Sequence, residues 1–322
     1  MATCCVLGFP NTQQVIFDEV VVPYMAELAS TTVNAILVAG LYATMSYGLA
    51  LIWGVMKIIN LSHAGVLMLG AYSTWWLTNT LGVDALATLP ITAAVFFLAG
   101  MVIERVLVRR LADAPPITTL LLLFGLWLVL QNLAYSLFTG DTRAVLTPYS
   151  QSNLRLGALV IPVTWLITFG IGLVILALLQ QFLTRTMLGS AIRALAQDRD
   201  ACRLVGIDTE RVNMLAFGLG TMLAAVAGAL LGLLFSFSPE FGGPFQLKSF
   251  AIIVLGGLES LVGVAVAALI VALAEQWSVA ILPAALQNVV AFIILVVALV
   301  ALPNGIMAAV QQIEWLPFRS RR

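Results

Sequence analysis

Residues Thr184 to Arg211 read TRTMLGSAIRALAQDRDACRLVGIDTER, the one long polar stretch in an otherwise almost continuously apolar chain. We call this stretch the polar island. Apolar runs long enough to cross a membrane flank it on both sides. Its charged residues are five of the chain's fifteen Lys and Arg residues and four acids: Arg185, Arg193, Arg199, Arg203, Arg211, Asp198, Asp200, Asp208 and Glu210. We expect a chain built in this way to present the island to a partner in the aqueous phase.

The composition is that of an integral membrane protein. Of the 322 residues, 61% are hydrophobic and only 9% are charged, and the mean hydropathy is +1.06. Soluble domains carry about 25% charged residues. The formal net charge is zero, and the charges are confined to short loops. We therefore predict a lipid bilayer around the chain and no nucleic-acid partner.

The apolar segments predict an all-α integral membrane protein. A spanning helix needs about 20 mostly apolar residues to cross a hydrocarbon core of about 30 Å. The segments are too long for strands and do not alternate apolar with polar residues, which argues against a β-barrel. They indicate a polytopic helical bundle of about eight transmembrane segments. The candidate segments are 33–54, 62–80, 86–103, 118–138, 161–183, 212–236, 249–281 and 285–302.

Lys and Arg in the loops predict the orientation of the bundle. With the N-terminus outside, nine basic residues fall on one side and two on the other: Lys57, Arg105, Arg109, Arg110 and the five of the island against Arg143 and Arg155. The island is therefore predicted to be cytoplasmic. Residues 1–30 are expected to form an extension outside the membrane, 31–306 the transmembrane domain, and 307–322 a C-terminal tail.

The region 249–281 leaves the C-terminal topology open. If it is one span, simple counting puts the three C-terminal arginines outside, against the rule for basic residues. It contains Gly256, Gly257, Glu259 and Gly263, and glycine-interrupted helices often mark a translocation pathway. A broken helix and a miscounted span are both consistent with these residues.

Gly228 and Gly232, four residues apart in the preceding span, predict close helix packing, either within the bundle or at a subunit contact.

An enzymatic function is not supported by the sequence. The chain has one histidine, His63, with no cysteine or carboxylate cluster beside it. It contains no Gly-x-x-x-x-Gly-Lys-Ser/Thr phosphate loop and no HExxH metal motif. The three cysteines have no metal-ligand spacing and are predicted to be free thiols. We predict no catalytic residue, no metal site and no cofactor, and any ATP must then be hydrolysed by another chain.

Several polar residues and glycines in or beside the spans are candidates for a pathway or for helix packing. Polar groups within a membrane normally face a partner or a water-filled path. Asn60, Ser62 and His63, which precede Gly65, lie at the start of the second span, where capping and interhelical hydrogen bonds are favoured over a pathway role. The same alternatives hold for the adjacent amides Gln131 and Asn132. The remaining candidates are Gly256, Gly257 and Glu259.

The island itself predicts a short exposed helix. Gly189 to Val205 is composed mostly of good helix formers with an imperfect apolar stripe. Gly206 suits a helix C-terminus, where a left-handed residue is preferred. A further helix is predicted to begin at Asp208 or Thr209. Such a helix either docks into a groove of a soluble partner or forms a solvated connecting loop, and the island alone favours neither.

Longer stretches of the sequence resemble a known family. Asp200-Ala201-Cys202-x-x-x-Gly206 is similar to the EAA-x-x-x-G signature of ABC importer permeases, with Asp for Glu and Cys for the second Ala. WGVMKIINLSHAGVLMLGAY (53–72), AIRALAQDRDACRLVGI (191–207) and LKSFAIIVLGGLESLVG (247–263) resemble signature blocks of the branched-chain amino acid ABC transporter permeases of the LivH type, and LPNGI (302–306) resembles that family's closing motif. The resemblance covers roughly 35–306. Glu259 departs from it, because the family usually has a small residue there.

The resemblance implies a subunit of a bacterial inner-membrane importer. Its partners would be a homologous second permease subunit, two cytoplasmic ABC ATPase subunits, and a periplasmic or surface-tethered solute-binding protein. The island, residues 185–211, would be the coupling loop that docks into a cleft of the ATPase. The small residues at motif positions, Ala201, Cys202 and Gly206, would allow close approach to the ATPase. The charged residues would contact the rim of its cleft: Arg193, Asp198, Arg199, Asp200 and Arg203.

Three function classes follow from these observations. The first is an importer permease for branched-chain or other neutral amino acids, with urea or short amides as alternatives because no charged solute site is evident in the spans. The second is a self-sufficient channel or secondary transporter, which would transport solute without ATPases. The third, an intramembrane enzyme, would need paired acids or a histidine beside a nucleophile on facing helices.

Overall fold

The computed structural model of the chain describes residues 22–111, 114–150, 152–156, 159–257, 260–279, 283, 287–301 and 305–306. Eleven α-helices and one small hairpin make up its regular structure within these residues, apart from two short helical turns. The helices are α1 (Val22–Met56), α2 (His63–Leu81), α3 (Thr88–Ile103), α4 (Pro116–Phe138), α5 (Val163–Arg185), α6 (Met187–Gln197), α7 (Arg199–Leu204), α8 (Thr209–Leu234), α9 (Gly242–Gly256), α10 (Leu261–Ser278) and α11 (Gln287–Ala301).

The prediction of an all-α membrane bundle is confirmed. Six helices of the described chain are long and apolar enough to cross a membrane: Leu28–Met56, Thr88–Leu111, Pro116–Phe138, Val163–Arg185, Thr209–Leu234 and Leu261–Ser278. Helix α3 continues through a π-helical turn, Glu104–Val108, and a 3-10 turn, Arg109–Leu111. Helix α1 begins at Val22, within the predicted extension, and residues 1–21 and 307–322 lie outside the described residues.

Helices α1 and α8 form the centre of the bundle. Of an apolar 18-residue segment in each helix, 94% is buried inside the chain in α1 but only 17% in α4. Helix α4 therefore lies at the periphery of the chain. Glycines let α8 contact its neighbours backbone to backbone. Gly48 of α1 lies against Gly220, and a Cβ at Gly228 would overlap the backbone of Leu67 in α2. The close approach predicted for Gly228 is thus made within the bundle.

The region 249–281 is two helices and not one span. Helix α9 ends at Gly256, and Gly257 has a φ of +95° that favours glycine. Ser260 then caps α10, because its side chain accepts a hydrogen bond from the Gly263 backbone N–H at 3.0 Å. A Cβ on Gly256 would lie 2.6 Å from the Gly263 backbone, so the glycines allow a tight antiparallel hairpin.

This hairpin changes the topology at the C-terminal end. Helix α9 already begins at Gly242, before the predicted start of the region, so the region contains one helix more than predicted. The hairpin turn lies on the island side, because Ser260 and Leu261 line a cavity together with Ile192 of α6. Gly305, beyond α11, packs against Gly257 of the same turn. The end of α11 therefore lies on the same side as the island, in agreement with the rule for basic residues.

The segment between α4 and α5 lies at the opposite end of the bundle. Strands β1 (Asn153–Leu156) and β2 (Leu159–Pro162) form an antiparallel hairpin there. Phe237 lies just beyond the end of α8. Its backbone forms two hydrogen bonds of 2.8 Å with the backbone of Arg143. The Arg143 guanidinium also lies 4.2 Å from the centre of the Trp75 ring. These contacts close the bundle at the end away from the island.

Candidate functional site

The polar island forms two helices with a break at Asp198. The prediction of one helix from Gly189 to Val205 is wrong at this residue, whose backbone is extended (φ −151°, ψ 109°). The Asp198 carboxylate accepts hydrogen bonds from the Asp200 and Ala201 backbone N–H groups, each at 2.9 Å. Aspartate competes for backbone donors in this way and so favours a helix start over a helix interior.

The helix ends predicted at Gly206 and Asp208 are confirmed, whereas the first island helix begins at Met187, two residues before the predicted Gly189. Gly206, which follows α7 after the C-cap Val205, has a φ of +80°, the left-handed conformation that glycine adopts without strain. Asp208 caps α8 by accepting a hydrogen bond from the Arg211 N–H at 3.1 Å. At the other end, Thr186 caps α6 by accepting one from the Gly189 N–H at 3.0 Å. Caps at both ends fix where α6 and α7 lie relative to the spans.

The island buries one face and leaves an apolar tip in solvent. Ile192 and Leu195 of α6 pack into the bundle, each 3% exposed. At the end of α7, Leu204 is 89% and Val205 75% exposed, beside the exposed Gly206. Exposed apolar side chains grouped at a helix end are a feature of interaction surfaces. We call Leu204, Val205 and Gly206 the apolar tip.

The predicted coupling residues do not all face outward. Those at the surface are Arg193, Asp198, Asp200, Ala201, Arg203 and Gly206. Arg199 is half-buried and its Nε has no hydrogen-bond partner in the described structure. Cys202 is 4% exposed and packs in the hydrophobic core, so its side chain faces the bundle and not the surface that a partner would approach. Helical spacing explains this, because Cys202 and Ala201 lie about 100° apart around α7.

Asn60, Ser62 and His63 come together with a residue of α9, deep in the bundle. All three are at most 2% exposed. Ser62 donates a hydrogen bond of 2.6 Å to the Asn60 side-chain oxygen and makes no capping bond to α2. Gln246 of α9 donates one of 3.1 Å to the Asn60 carbonyl. We call these four residues the buried polar cluster. The predicted interhelical hydrogen bond is present, and the predicted side-chain cap is not.

The buried polar cluster lies deep in the bundle, well away from the island end of α1. The His63 ring lies next to the backbone of Met45. Neither ring nitrogen has a hydrogen-bond partner of good distance and angle among the described residues. Met45 precedes the end of α1 by eleven residues, which is about 16 Å of helix. The start of α9 is equally deep, because Gly242 contacts the Ala64 backbone. Helices α2 and α9 therefore both begin inside the bundle, as interrupted helices do in transporters.

The other pathway candidates lie elsewhere. Gln131 is half-buried on α4, and Asn132 is exposed and donates to the Leu128 carbonyl of its own helix at 2.8 Å. Gly65 is a packing residue, since a Cβ at this position would lie 3.0 Å from the Leu130 side chain of α4. Gly256 and Gly257 form the turn of the α9–α10 hairpin. Glu259 lies outside the described residues.

A buried ion pair was not anticipated from the sequence. Lys248 of α9 donates to the Glu275 carboxylate of α10 at 2.5 Å, and both side chains are at most 6% exposed. Tyr42 of α1 donates to the other carboxylate oxygen at 2.8 Å and accepts a hydrogen bond from Lys248 at 3.2 Å. The sequence feature that could have indicated the pair is a single charged residue in each of two apolar runs, because a charge within a membrane requires a partner. The pair ties α9 and α10 to α1.

Two cavities open at the island end of the bundle. One of about 240 Å³ lies between α1, α5 and α6 and is lined by Gly54, Leu183 and Arg193 among others. The second, of about 420 Å³, lies behind α7 and has charged walls that include Arg109, Arg199 and Glu210. Both adjoin the island, so a movement of α6 or α7 would change their shape.

Comparisons with known proteins agree with this architecture. The family described as branched-chain amino acid transport system / permease component matches residues 31–299. The permease protein LivH of the high-affinity branched-chain amino acid transport system of Escherichia coli is 31% identical over 85% of this chain and 93% of its own length. BraD of Pseudomonas aeruginosa, of the same description, is 29% identical over 85% and 94%. LivM of Salmonella typhimurium is 25% identical over 79% of this chain and 64% of its own length. No solved structure gives a significant match.

Proposed function

The chain belongs to the branched-chain amino acid transport permease family, and from this premise we propose that it is the membrane-spanning subunit of an ATP-driven importer. In this proposal it passes a branched-chain or other neutral amino acid from a solute-binding protein into the cytoplasm of a bacterium, across the inner membrane. The observation that carries the proposal is the apolar tip at the end of α7, exposed between two capped helices on the predicted cytoplasmic side.

The ATPase would be a separate subunit. The sequence contains no phosphate loop, so ATP bound in that mode must belong to another chain. A surface of Leu204, Val205 and Gly206 fits an apolar cleft on such a subunit. Burial of apolar area there stabilises a contact, and the charged residues around it would set its orientation. Two ATPase subunits would serve this chain and a second, homologous permease, and the similarity to both LivH and LivM supports such a pairing.

The solute path would pass the buried polar cluster. It presents amides, a hydroxyl and an imidazole deep in the bundle, and two of its groups, His63 and the Gln246 side-chain oxygen, lack partners among the described residues. A neutral solute with polar groups can use such donors and acceptors. The two buried carboxylates of the described chain, Glu104 and Glu275, each contact a cationic side chain, which argues against proton-coupled transport by the chain alone.

The test is reconstitution of the full chain with a partner permease, ATPases and binding protein in liposomes. We expect solute to stimulate ATP hydrolysis and uptake of leucine, with urea as the comparison solute. Leu204→Asp should reduce the stimulated hydrolysis about tenfold or more, because a charge would enter an apolar contact. Met187→Asp is the matched control, since Met187 is also 89% exposed but lies at the start of α6.

Three results would contradict the proposal or a part of it. ATP hydrolysis that is insensitive to the presence of the chain would remove the importer function. Uptake by the chain alone, without ATPases, would assign it to channels or secondary transporters. Equal effects of Leu204→Asp and Met187→Asp would remove the specific role of the apolar tip.

A further inference from the structure

The charged cavity behind α7 has the features of a binding site. It encloses about 420 Å³ between α7, the ends of α1 and α3, and the start of α8. Four cationic side chains line it, against the two carboxylates of Glu104 and Glu210: Lys57, Arg109, Arg199 and Arg203. A cavity of this size is far larger than one water molecule, which occupies about 30 Å³ of liquid. It is therefore large enough for a small solute.

The two carboxylates are already used by one of these cations. Arg109 lies 3.3 Å from the Glu104 carboxylate and 3.1 Å from that of Glu210. Among the described residues, the ion-pair partner of Arg203 is the exposed Asp200, at the long distance of 3.9 Å. Arg199 makes no ion pair among the described residues, and its buried Nε lacks a hydrogen-bond partner. The cavity wall next to α7 thus keeps uncompensated positive charge.

A second, independent group in the same wall lacks a partner. Asn213 of α8 lines the cavity, is 6% exposed, and its side-chain oxygen has no hydrogen-bond partner in the described structure. An amide can present either its oxygen or its NH₂ group by rotation. Burial of an amide atom without a partner costs free energy. When rotation places the NH₂ group at this position, a ligand that accepts its hydrogen bond removes that cost.

We propose that this cavity binds a phosphate group, supplied either as free inorganic phosphate or by the headgroup of an anionic lipid. Guanidinium groups recognise phosphate through paired charge-assisted hydrogen bonds. The first turn of α8, with Thr209 in the cavity wall, adds the partial positive charge of a helix N-terminus. The Asp208 carboxylate does not oppose the ligand, because Arg211 binds it at 2.8 Å.

A bound phosphate would fix the position of the docking helix. It would join Arg199 of α7 to Asn213 of α8, whereas the apolar tip faces away from the cavity into solvent. The ligand would therefore set how α7 is presented to a partner without touching that partner. This inference concerns a different part of the chain from the proposed solute path and does not depend on the identity of the solute.

Binding is tested on the full-length chain in two arms. Equilibrium dialysis with radiolabelled inorganic phosphate measures the free ion in detergent. Native mass spectrometry of nanodiscs made from phosphatidylcholine, with and without phosphatidylglycerol, measures retained anionic lipid. We expect saturable binding of one phosphate group in at least one arm. Arg199→Gln should weaken it about tenfold or more, since a charge-assisted bond is lost. Arg185→Gln is the matched control, because Arg185 is exposed and does not line the cavity, and it should change binding by less than about twofold.

A second variant and the partner subunits complete the test. Asn213→Asp places a negative charge in the cavity wall and should abolish phosphate binding in both arms. No saturable binding by wild-type protein in either arm overturns the proposal. Equal weakening by Arg185→Gln also overturns it, because binding would then reflect overall charge. If Arg199→Gln reduces only association with the ATPase subunits, the cavity receives an acidic side chain of that partner and the proposal is wrong.

Discussion

At the scale of single residues, the Tyr42–Lys248–Glu275 group is the costliest feature of the bundle. Moving two charges out of water into a membrane interior costs several kcal/mol for each ion, and their attraction offsets this only with good geometry and further hydrogen bonds. Here Tyr42 supplies a hydrogen bond of 2.8 Å to the carboxylate. The rings of Tyr42 and Phe245 lie 5.4 and 4.9 Å from the Lys248 ammonium. Both charged groups, the Lys248 ammonium and the Glu275 carboxylate, thus have hydrogen-bond partners.

Removal of one partner of this pair is expected to destabilise the protein strongly. Lys248→Met leaves the Glu275 carboxylate buried without its cation and should cost about 3–5 kcal/mol of unfolding free energy. The double variant Lys248→Met, Glu275→Leu should recover most of that loss, because both charges are gone. Unfolding in detergent, followed by circular dichroism, measures both. If the single variant is as stable as wild type, the pair makes no contribution in the folded protein.

At the scale of elements, the break at Asp198 separates the island into two short helices with different surroundings. Helix α6 packs through Gly189, whose Cα approaches the backbone of Leu183 so closely that a Cβ would lie within 2.5 Å of it. Helix α7 buries Cys202 and exposes Leu204. The extended backbone at Asp198 therefore separates a helix that packs against α5 from one whose last turn is exposed.

Loss of the Asp198 cap should affect α7 and not α6. Asp198→Ala removes the acceptor for the Asp200 and Ala201 N–H groups and is expected to cost about 0.5–2 kcal/mol. Faster hydrogen exchange at these two amides, with unchanged exchange in α6, is the expected measurement. Asp198→Asn keeps a capping oxygen and is the control. Faster exchange in the control as well would show that charge, and not the capping oxygen, holds the start of α7.

At the scale of the whole molecule, the hairpin of α9 and α10 determines on which side the chain ends. Gly305 contacts Gly257 in the hairpin turn, and that turn adjoins the cavity next to α6. The end of α11 and the polar island therefore share one side of the membrane. Basic residues near the C-terminus then follow the same distribution as those in the loops.

A reporter fused after Arg322 tests this topology. Green fluorescent protein in that position should fluoresce in a bacterial host, whereas alkaline phosphatase should be inactive, because both would be in the cytoplasm. Fusions truncated after Ser236, where the structure places the opposite end of the bundle, should give the reverse pattern. Active phosphatase at the C-terminus would show that α9 does not enter the membrane as described.

The properties that depend on short stretches of chain were predictable from the sequence. Hydropathy identified the membrane class and most spans, because a spanning helix is a local run of apolar residues. The ends of the island helices at Gly206 and Asp208 followed from the conformational preference of glycine and the capping oxygen of aspartate. The family followed from three blocks of sequence and is confirmed by the comparisons.

Only the tertiary structure decided the features that join distant residues. Lys248 and Glu275 are 27 residues apart, and Tyr42 is 233 residues from Glu275, so no local pattern pairs them. The depth at which α2 begins, the burial of Cys202 and the side on which α11 ends also depend on packing against other helices. Hydropathy is a property of one segment, whereas depth, partner and direction are properties of contacts between segments. For that reason the sequence determined a membrane bundle with an exposed island, and packing determined which polar groups it encloses.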